Sequence, residues 1–340
     1  MQALSNHEKQ LAGLARGLRA AIVVPALFAL GLFLIKQPLL AGFSVFGTFA
    51  HLVMVNYGAS RTTRAVEAAT LTSLGAILVT LGSVASVHTA SAVVGAFAVG
   101  FLTEWPPSAR GAIAVTRTAL LLSFMLAVAV PASRRAIWQQ LSGWVLAGLV
   151  AQPVLQLLWI PIRPSDSIAP EQASNESHRR RSTWLPNAGC IGVAAASAVL
   201  VSRLLNLEHA FWVVLGLLPV LTVRGTPPLH TFWREQIGTL LGFSLSVAVV
   251  AVLGGYQLCY WILLPCVVFA STYAASALGL TLTQAGFTVF VVVLFCILSP
   301  AQKQMGMIRL EDIAIGGVLS LFVASLQRFG EAFALAAARP

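Results

Sequence analysis

The chain has 340 residues, of which 58% are hydrophobic and 9% charged, and its mean hydropathy is +0.85; a soluble domain carries roughly 25% charged residues. That balance excludes a soluble globular protein and defines an integral membrane protein. A net charge of +10 does not point to nucleic acid, because no basic stripe interleaved with aromatics is present and Lys and Arg sit beside apolar segments, where they orient a chain in the bilayer.

Residues 1–19 place Leu4, Leu11, Leu14 and Leu18 on one helical face, with Lys9, Arg16 and Arg19 available to lipid phosphates. This pattern predicts an interfacial segment. Apolar segments of membrane-spanning length follow over roughly 20–36, 39–56, 66–84, 88–103, 112–130 and 141–160. They form a first six-helix unit, 20–162. The long polar stretch 163–185 reads as a cytoplasmic linker. A second unit, 186–330, holds segments over roughly 187–203, 209–223, 236–253, 257–274, 280–298 and 313–328, before a tail at 331–340. The first apolar segment lacks a small-residue cleavage pattern and is followed by eleven more, so it reads as a span and not as a cleaved signal. Asn175-Glu-Ser177 matches a glycosylation sequon by chance, given its place in the linker.

The two units resemble each other. Phe43, Gly47, Arg64, Glu67, Thr72 and Gly75 return about 168 residues later as Phe211, Gly216, Arg234, Glu235, Thr239 and Gly242. The expected fold is therefore an all-α membrane protein of about twelve transmembrane helices, arranged as two tandem six-helix repeats. Six is even, so both repeats insert the same way and are related by a pseudo-twofold axis along the membrane normal. With a cytoplasmic N-terminus, Lys36, Arg134, Arg135, Arg203, Lys303 and Arg309 lie outside, and the other Lys and Arg residues lie inside. The positive-inside bias thus places both termini and the linker in the cytoplasm.

No P-loop, nucleophile elbow, metal-ligand cluster or dinucleotide fingerprint occurs, which argues against an enzyme, a cofactor and a metal site. Cys190, Cys259, Cys266 and Cys296 all fall in apolar segments without ligand spacing and read as small buried hydrophobes. Arginines mark the cytoplasmic ends of helices in both halves: Arg61 and Arg64 before the third segment, Arg117 in the fifth, Arg224 and Arg234 around the ninth. Guanidinium groups suit a carboxylate path, although membrane orientation alone would also put them there. His51 falls deep in the second segment, where it could carry a proton or bond a neighbouring helix carbonyl; its counterpart in the second half is near Pro219. Glu104 is a further proton candidate, or an interface anchor beside Trp105. Glu67 and Glu235 begin helices, where negative charge is favoured in any case. Asn56, Tyr57, Thr72, Thr239, Phe211 and Trp212 complete the candidate contact set. Phe211, Trp212, Trp233, Trp105 and Phe232 also fit an interfacial aromatic belt. Gly75, Gly143, Gly238, Gly242, Gly316 and Gly317 read as helix-packing positions.

Arg64 with Glu67 and Arg234 with Glu235, each ahead of a Thr-x-x-Gly run, resemble the fusaric acid resistance (FUSC-like) membrane domain. So do His209-Ala-Phe211-Trp212 and Arg309-Leu-Glu311-Asp312 leading to Gly316-Gly317. The family includes aromatic carboxylic acid exporters and is related to the plant aluminium-activated malate transporters. The resemblance implies proton-linked export of organic anions across a bacterial inner membrane. The residues themselves suggest a path in which the carboxylate is held near Arg64 and Arg234 and protons are carried at His51 or Glu104. The alternative that the resemblance implies is an organic-anion channel like the plant relatives. Some relatives work with a periplasmic adaptor and an outer-membrane channel. Expected partners are membrane lipids and a small organic anion, with no nucleic acid, and a monomer suffices because the fused halves already form a pseudo-dimer.

Overall fold

The computed structural model describes residues 6–103, 111–130, 133–158, 170–207, 211–213, 215–216, 227–298 and 311–325. Among the described residues there are helices and no strand. Helix α1 (Asn6–Ala29) runs into a π-helical turn (Leu30–Leu34), and α2 (Pro38–Phe49) into a second one (Ala50–Met54). Next come α3 (Arg61–Ala85), α4 (Thr89–Thr103), α5 (Ala112–Val128), α6 (Arg134–Leu157) and α7 (Pro170–Leu204). Residues 211–213 and 215–216 are helical, followed by α8 (Pro228–Leu253), α9 (Gln257–Ala277), α10 (Leu280–Leu298) and α11 (311–325). Every expected apolar segment that falls on described residues is helical. Five stretches, Gln10–Leu34, Arg61–Ala85, Pro228–Leu253, Gln257–Ala277 and Leu280–Leu298, are long and apolar enough to cross a bilayer. Four further apolar helices are shorter.

Local chemistry sets the helix ends. The Ser60 hydroxyl accepts from Thr63 N at 3.0 Å at the start of α3, and Ser133 accepts from Ala136 N at 3.1 Å at the start of α6, each satisfying an otherwise unpaired amide. Pro38 opens α2, where a missing N–H costs nothing. Gly254 and Gly279, with φ of 56° and 91°, follow α8 and α9 and turn the chain where a side chain would be strained. The N-terminal segment expected to lie in the interface is continuous with the first span, since α1 has no break before Ala29. The expected linker is helical from Pro170 onward, as the first part of α7.

On α8 and part of α3, packing is inverted relative to a soluble protein. On α8 the buried face carries Thr231, Glu235, Gly238, Thr239, Gly242 and Ser246, whereas Leu229, Ile237, Leu241, Leu245 and Val252 are exposed. On α3 the buried face includes Gly75, Gly82 and Ser83, and Val66, Ile77, Leu81 and Val84 face outward. In a bilayer lipid is as apolar as leucine, so small residues win the interior because they let helices approach. The buried hydroxyls stay satisfied by bonding back along their own helix, as Ser83 does to Val79 O at 2.7 Å and Ser246 to Gly242 O at 2.7 Å. This large apolar exterior is what a multi-pass membrane protein presents to lipid.

The halves interlock. α1 packs against α9, and α4 against α7, where Gly100 and Gly192 meet backbone to backbone. Arg203, at the end of α7, donates to Ser86 O at 2.8 Å and Val128 O at 3.3 Å. It thereby binds the carbonyl ends of α3 and α5, where a cation opposes the negative pole of the helix dipole. Arg203→Ala is expected to cost about 2 kcal/mol, read as a lower Tm in detergent; an unchanged Tm would mean that this clamp carries no stability.

Candidate functional site

Residues from both halves enclose a cavity of about 220 Å³. Phe46, Phe49, Ala50, Val53 and Met54 reach it from α2 and its π-helical turn, and Ser123 and Trp144 from α5 and α6. The second half contributes Phe211, Ser271, Gln284 and Phe287. Phe49 stacks on Phe290 with ring centroids 5.8 Å apart and planes 10° apart, and meets Phe287 at 5.0 Å. Phe46 makes edge contacts with Phe211 at 5.5 Å and Trp212 at 6.0 Å. Phe46 and Phe49 are three residues apart on one helix, so both point the same way into the second half. An apolar cavity of roughly 150 Å³ holds a benzene ring, so this one has room for a substituted ring.

No charged side chain lines the cavity among the described residues. Two ionisable groups stand one layer behind it. The Gln284 amide donates to Glu235 Oε1 at 2.9 Å, so a cavity-lining amide is fixed by a fully buried carboxylate on α8. On the other side lies His51, fully buried in the π-helical turn, its ring 5.7 Å from that of Trp144. His51 Nδ1 lies 2.8 Å from Gly47 O and Nε2 lies 3.0 Å from Thr72 Oγ1. π-Turns widen a helix and recur at functional sites; here the turn presents Ala50, Val53 and Met54 to the cavity and His51 to α3.

The other sequence candidates do not converge on the cavity. Arg64 is buried and donates to the carbonyls of Gly58 and Ala59. Glu67 accepts from Gly58 N at 2.7 Å. Both hold the loop between α2 and α3. Arg16 donates to Asn56, and Arg19, buried one turn later, lies in range of the charges of both Arg16 and Arg64. The Tyr57 hydroxyl is buried there, and desolvation together with the nearby Glu67 raises its pKa above the ordinary tyrosine value. Arg61 and Arg234 are exposed at the starts of α3 and α8. Half-buried Arg117 donates to Ala114 O at 3.1 Å on its own helix. Thr239 donates to Glu235 O at 3.0 Å. Trp212 is buried and packs on Phe46 and Phe287, whereas Trp233 is exposed in the manner of a belt residue. Glu104, Trp105, His209, Pro219, Arg224 and Arg309 lie outside the described residues.

Sequence reasoning missed Phe46, Phe49, Trp144, Gln284 and Phe287. Phe46 and Phe49 sit inside the repeated block beside Phe43, a usable signal. Gln284, a neutral amide in the middle of an apolar segment, was the other one, because such a group is costly in lipid without a partner.

Long apolar stretches, with α3 and α8 turning leucine outward and glycine, serine and glutamate inward, define a multi-pass membrane protein. Residues 195–323 match the family model described as fusaric acid resistance protein-like. The match implies a membrane protein of transport or resistance. Neither a curated protein nor a solved structure matches the chain.

Proposed function

We propose that the protein is a secondary transporter that exports aromatic or other hydrophobic organic carboxylates across a bacterial inner membrane, coupled to protons, by relative movement of two six-helix halves. The observation that carries this reading is the aromatic cavity at the junction of the halves, with no charge among its described lining residues. A ring stacks favourably there. A bare carboxylate does not belong there, because burying an unpaired charge is far costlier than burying a neutral acid. A substrate that enters as the neutral acid resolves the conflict.

Recurring contacts support the tandem arrangement of twelve spans. α1 on α9 answers α4 on α7. α3 packs on α5 as α8 packs on α10. Gly143 of α6 meets the backbone of Leu40 and Ser44, and Gly316 of α11 meets that of Val213 and Gly216. Each pair maps onto the other under exchange of the halves, as a twofold axis requires. Arg61 and Arg234, exposed at the starts of α3 and α8, would draw carboxylates to the cytoplasmic mouth.

The test is flux in proteoliposomes under an imposed pH gradient, with benzoate and an aliphatic acid as probes. Wild type should accumulate benzoate against its gradient and lose it on adding an uncoupler. Phe49→Ala combined with Phe287→Ala should lower benzoate flux about tenfold, equivalent to about 1.4 kcal/mol of recognition. Flux that runs only downhill and follows voltage would make the protein an organic-anion channel instead. Folded protein with no flux of either acid would sink the transporter reading.

A further inference from the structure

The Thr72 hydroxyl faces two acceptors and has one proton to give. It lies 3.0 Å from His51 Nε2 and 2.8 Å from Ala68 O. The other imidazole nitrogen faces Gly47 O at 2.8 Å, and a carbonyl only accepts, so Nδ1 carries a hydrogen in every state of the ring. In the neutral ring Nε2 is then a bare acceptor, and Thr72 donates to it. If Nε2 gains a proton, it becomes a donor to Thr72 Oγ1, and the hydroxyl turns to Ala68 O. Both protonation states are thus fully hydrogen-bonded without movement of a heavy atom. A buried imidazolium is tolerable only where each N–H has an acceptor, and this pocket supplies both.

The surroundings are shaped for that group. Gly148 of α6 leaves the space that the Thr72 side chain fills, since a Cβ there would collide with it. Gly75 does the same for the Trp144 indole, whose edge lies beside His51. Ala50, its chain neighbour, and Trp144, whose ring lies 5.7 Å from the imidazole, both line the cavity. The charged groups described on the surrounding helices are Arg16 and Arg19 on α1, Arg61, Arg64 and Glu67 toward the start of α3, Arg117 on α5, and Arg134 and Arg135 at the start of α6. None of them is hydrogen-bonded to His51 in the described residues. In the second half Thr239 makes the matching bond to its own helix, at Glu235 O.

Resting on the transporter reading above, we propose that His51 and Thr72 form a proton-handling pair, in which rotation of the Thr72 hydroxyl between His51 Nε2 and the Ala68 carbonyl lets the imidazole take a proton from hydronium and return it to water within one transport cycle. No heavy atom moves: the proton adds to the Nε2 lone pair as the Thr72 hydroxyl hydrogen turns to Ala68 O, and both steps reverse when it leaves. Thr72 acts through His51 and is a positioning residue.

Thr72→Val keeps the shape and removes the hydroxyl, and Thr72→Ser restores it. In proteoliposomes, benzoate exchange at equal pH needs no net proton transfer, whereas pH-driven accumulation does. Thr72→Val should retain exchange within about twofold and lose accumulation at least tenfold, and Thr72→Ser should recover it. Thr72→Val that accumulates benzoate like wild type would overturn the pair. A second readout does not depend on transport: 15N NMR of the full chain in detergent, with the His51 signal assigned by its loss in His51→Gln. His51 should pass between one and two protonated nitrogens on titration in wild type and in Thr72→Ser, and the doubly protonated signal should vanish in Thr72→Val. A ring that keeps one protonation state in wild type would also overturn the pair. Absence of exchange in wild type would fault the transporter reading alone, leaving the NMR result to decide the pair.

Discussion

Gly242→Val is expected to leave little folded protein. At this position α8 and α10 touch backbone to backbone: an added Cβ would fall on the Ala285 carbonyl oxygen and lie 2.7 Å from Thr288 Cβ. One turn earlier, a Cβ added at Gly238 would fall on the Thr281 carbonyl oxygen and lie 3.0 Å from Gln284 Cβ. The two glycines, four residues apart, form the small-residue seam that lets membrane helices approach closely. A side chain can rotate away from a clash, but a helical carbonyl cannot, so relief requires the helices to part. Overpacking a core costs about 1–3 kcal/mol where side chains can shift, and this site should exceed that range. Parting α8 from α10 would also pull Gln284 off Glu235 and open the cavity wall. Thermal unfolding and size-exclusion profiles in detergent would show it, with Leu241→Val as the control. Leu241 is 52% exposed to lipid and its truncation should stay within about 0.5 kcal/mol of wild type. Equal behaviour of the two variants would disprove the seam.

Trp144→Ala should lower stability by about 3–5 kcal/mol, the cost of removing a large buried aromatic and leaving a hole. Trp144 is 1% exposed and is the largest fully buried side chain described. Its indole is seated between Gly47 of α2 and Gly75 of α3. It joins three helices, lines the cavity and supports the His51 ring at once. The Tm should fall by about 10 °C. The enlarged cavity should also lose its grip on a single ring, so benzoate flux should drop further than the stability loss alone explains, and a bulkier two-ring acid should be less affected. Gly75→Ala should reproduce part of the defect, because its Cβ would displace the indole. A Trp144→Ala protein with wild-type Tm and benzoate preference would rule out the indole as a structural wall of the site.

Much of this molecule is legible in its sequence, and the limits follow from what is local. Apolar runs of bilayer length, serine and proline at helix starts, and glycine at turns act within a few residues, so the helices and their approximate ends could be read directly. The small-residue register that marks the buried face of α8 is likewise local. Glu67 and Glu235 show where this ceases. They align in the repeat, yet Glu67 fastens a loop through Gly58 N while Glu235 is buried between helices and bonded to Gln284. A one-residue offset between the glutamate and the Thr-x-x-Gly run turns the two to different neighbours, because a helix rotates by about 100° per residue. Arg64, by its residue type a ligand for carboxylate, spends donors on the Gly58 and Ala59 carbonyls.

By itself, then, the sequence determined that the chain lives in a bilayer, is helical, and turns small and polar residues inward, since these follow from solvent and periodicity. The tertiary structure alone decided which of its many aromatics meet around a cavity and which arginine serves the backbone. It alone placed the His51 ring within hydrogen-bond reach of the Thr72 hydroxyl, 3.0 Å away. Phe49 and Phe287, or His51 and Trp144, lie far apart in the chain, and only helix packing brings such groups to within a few ångströms.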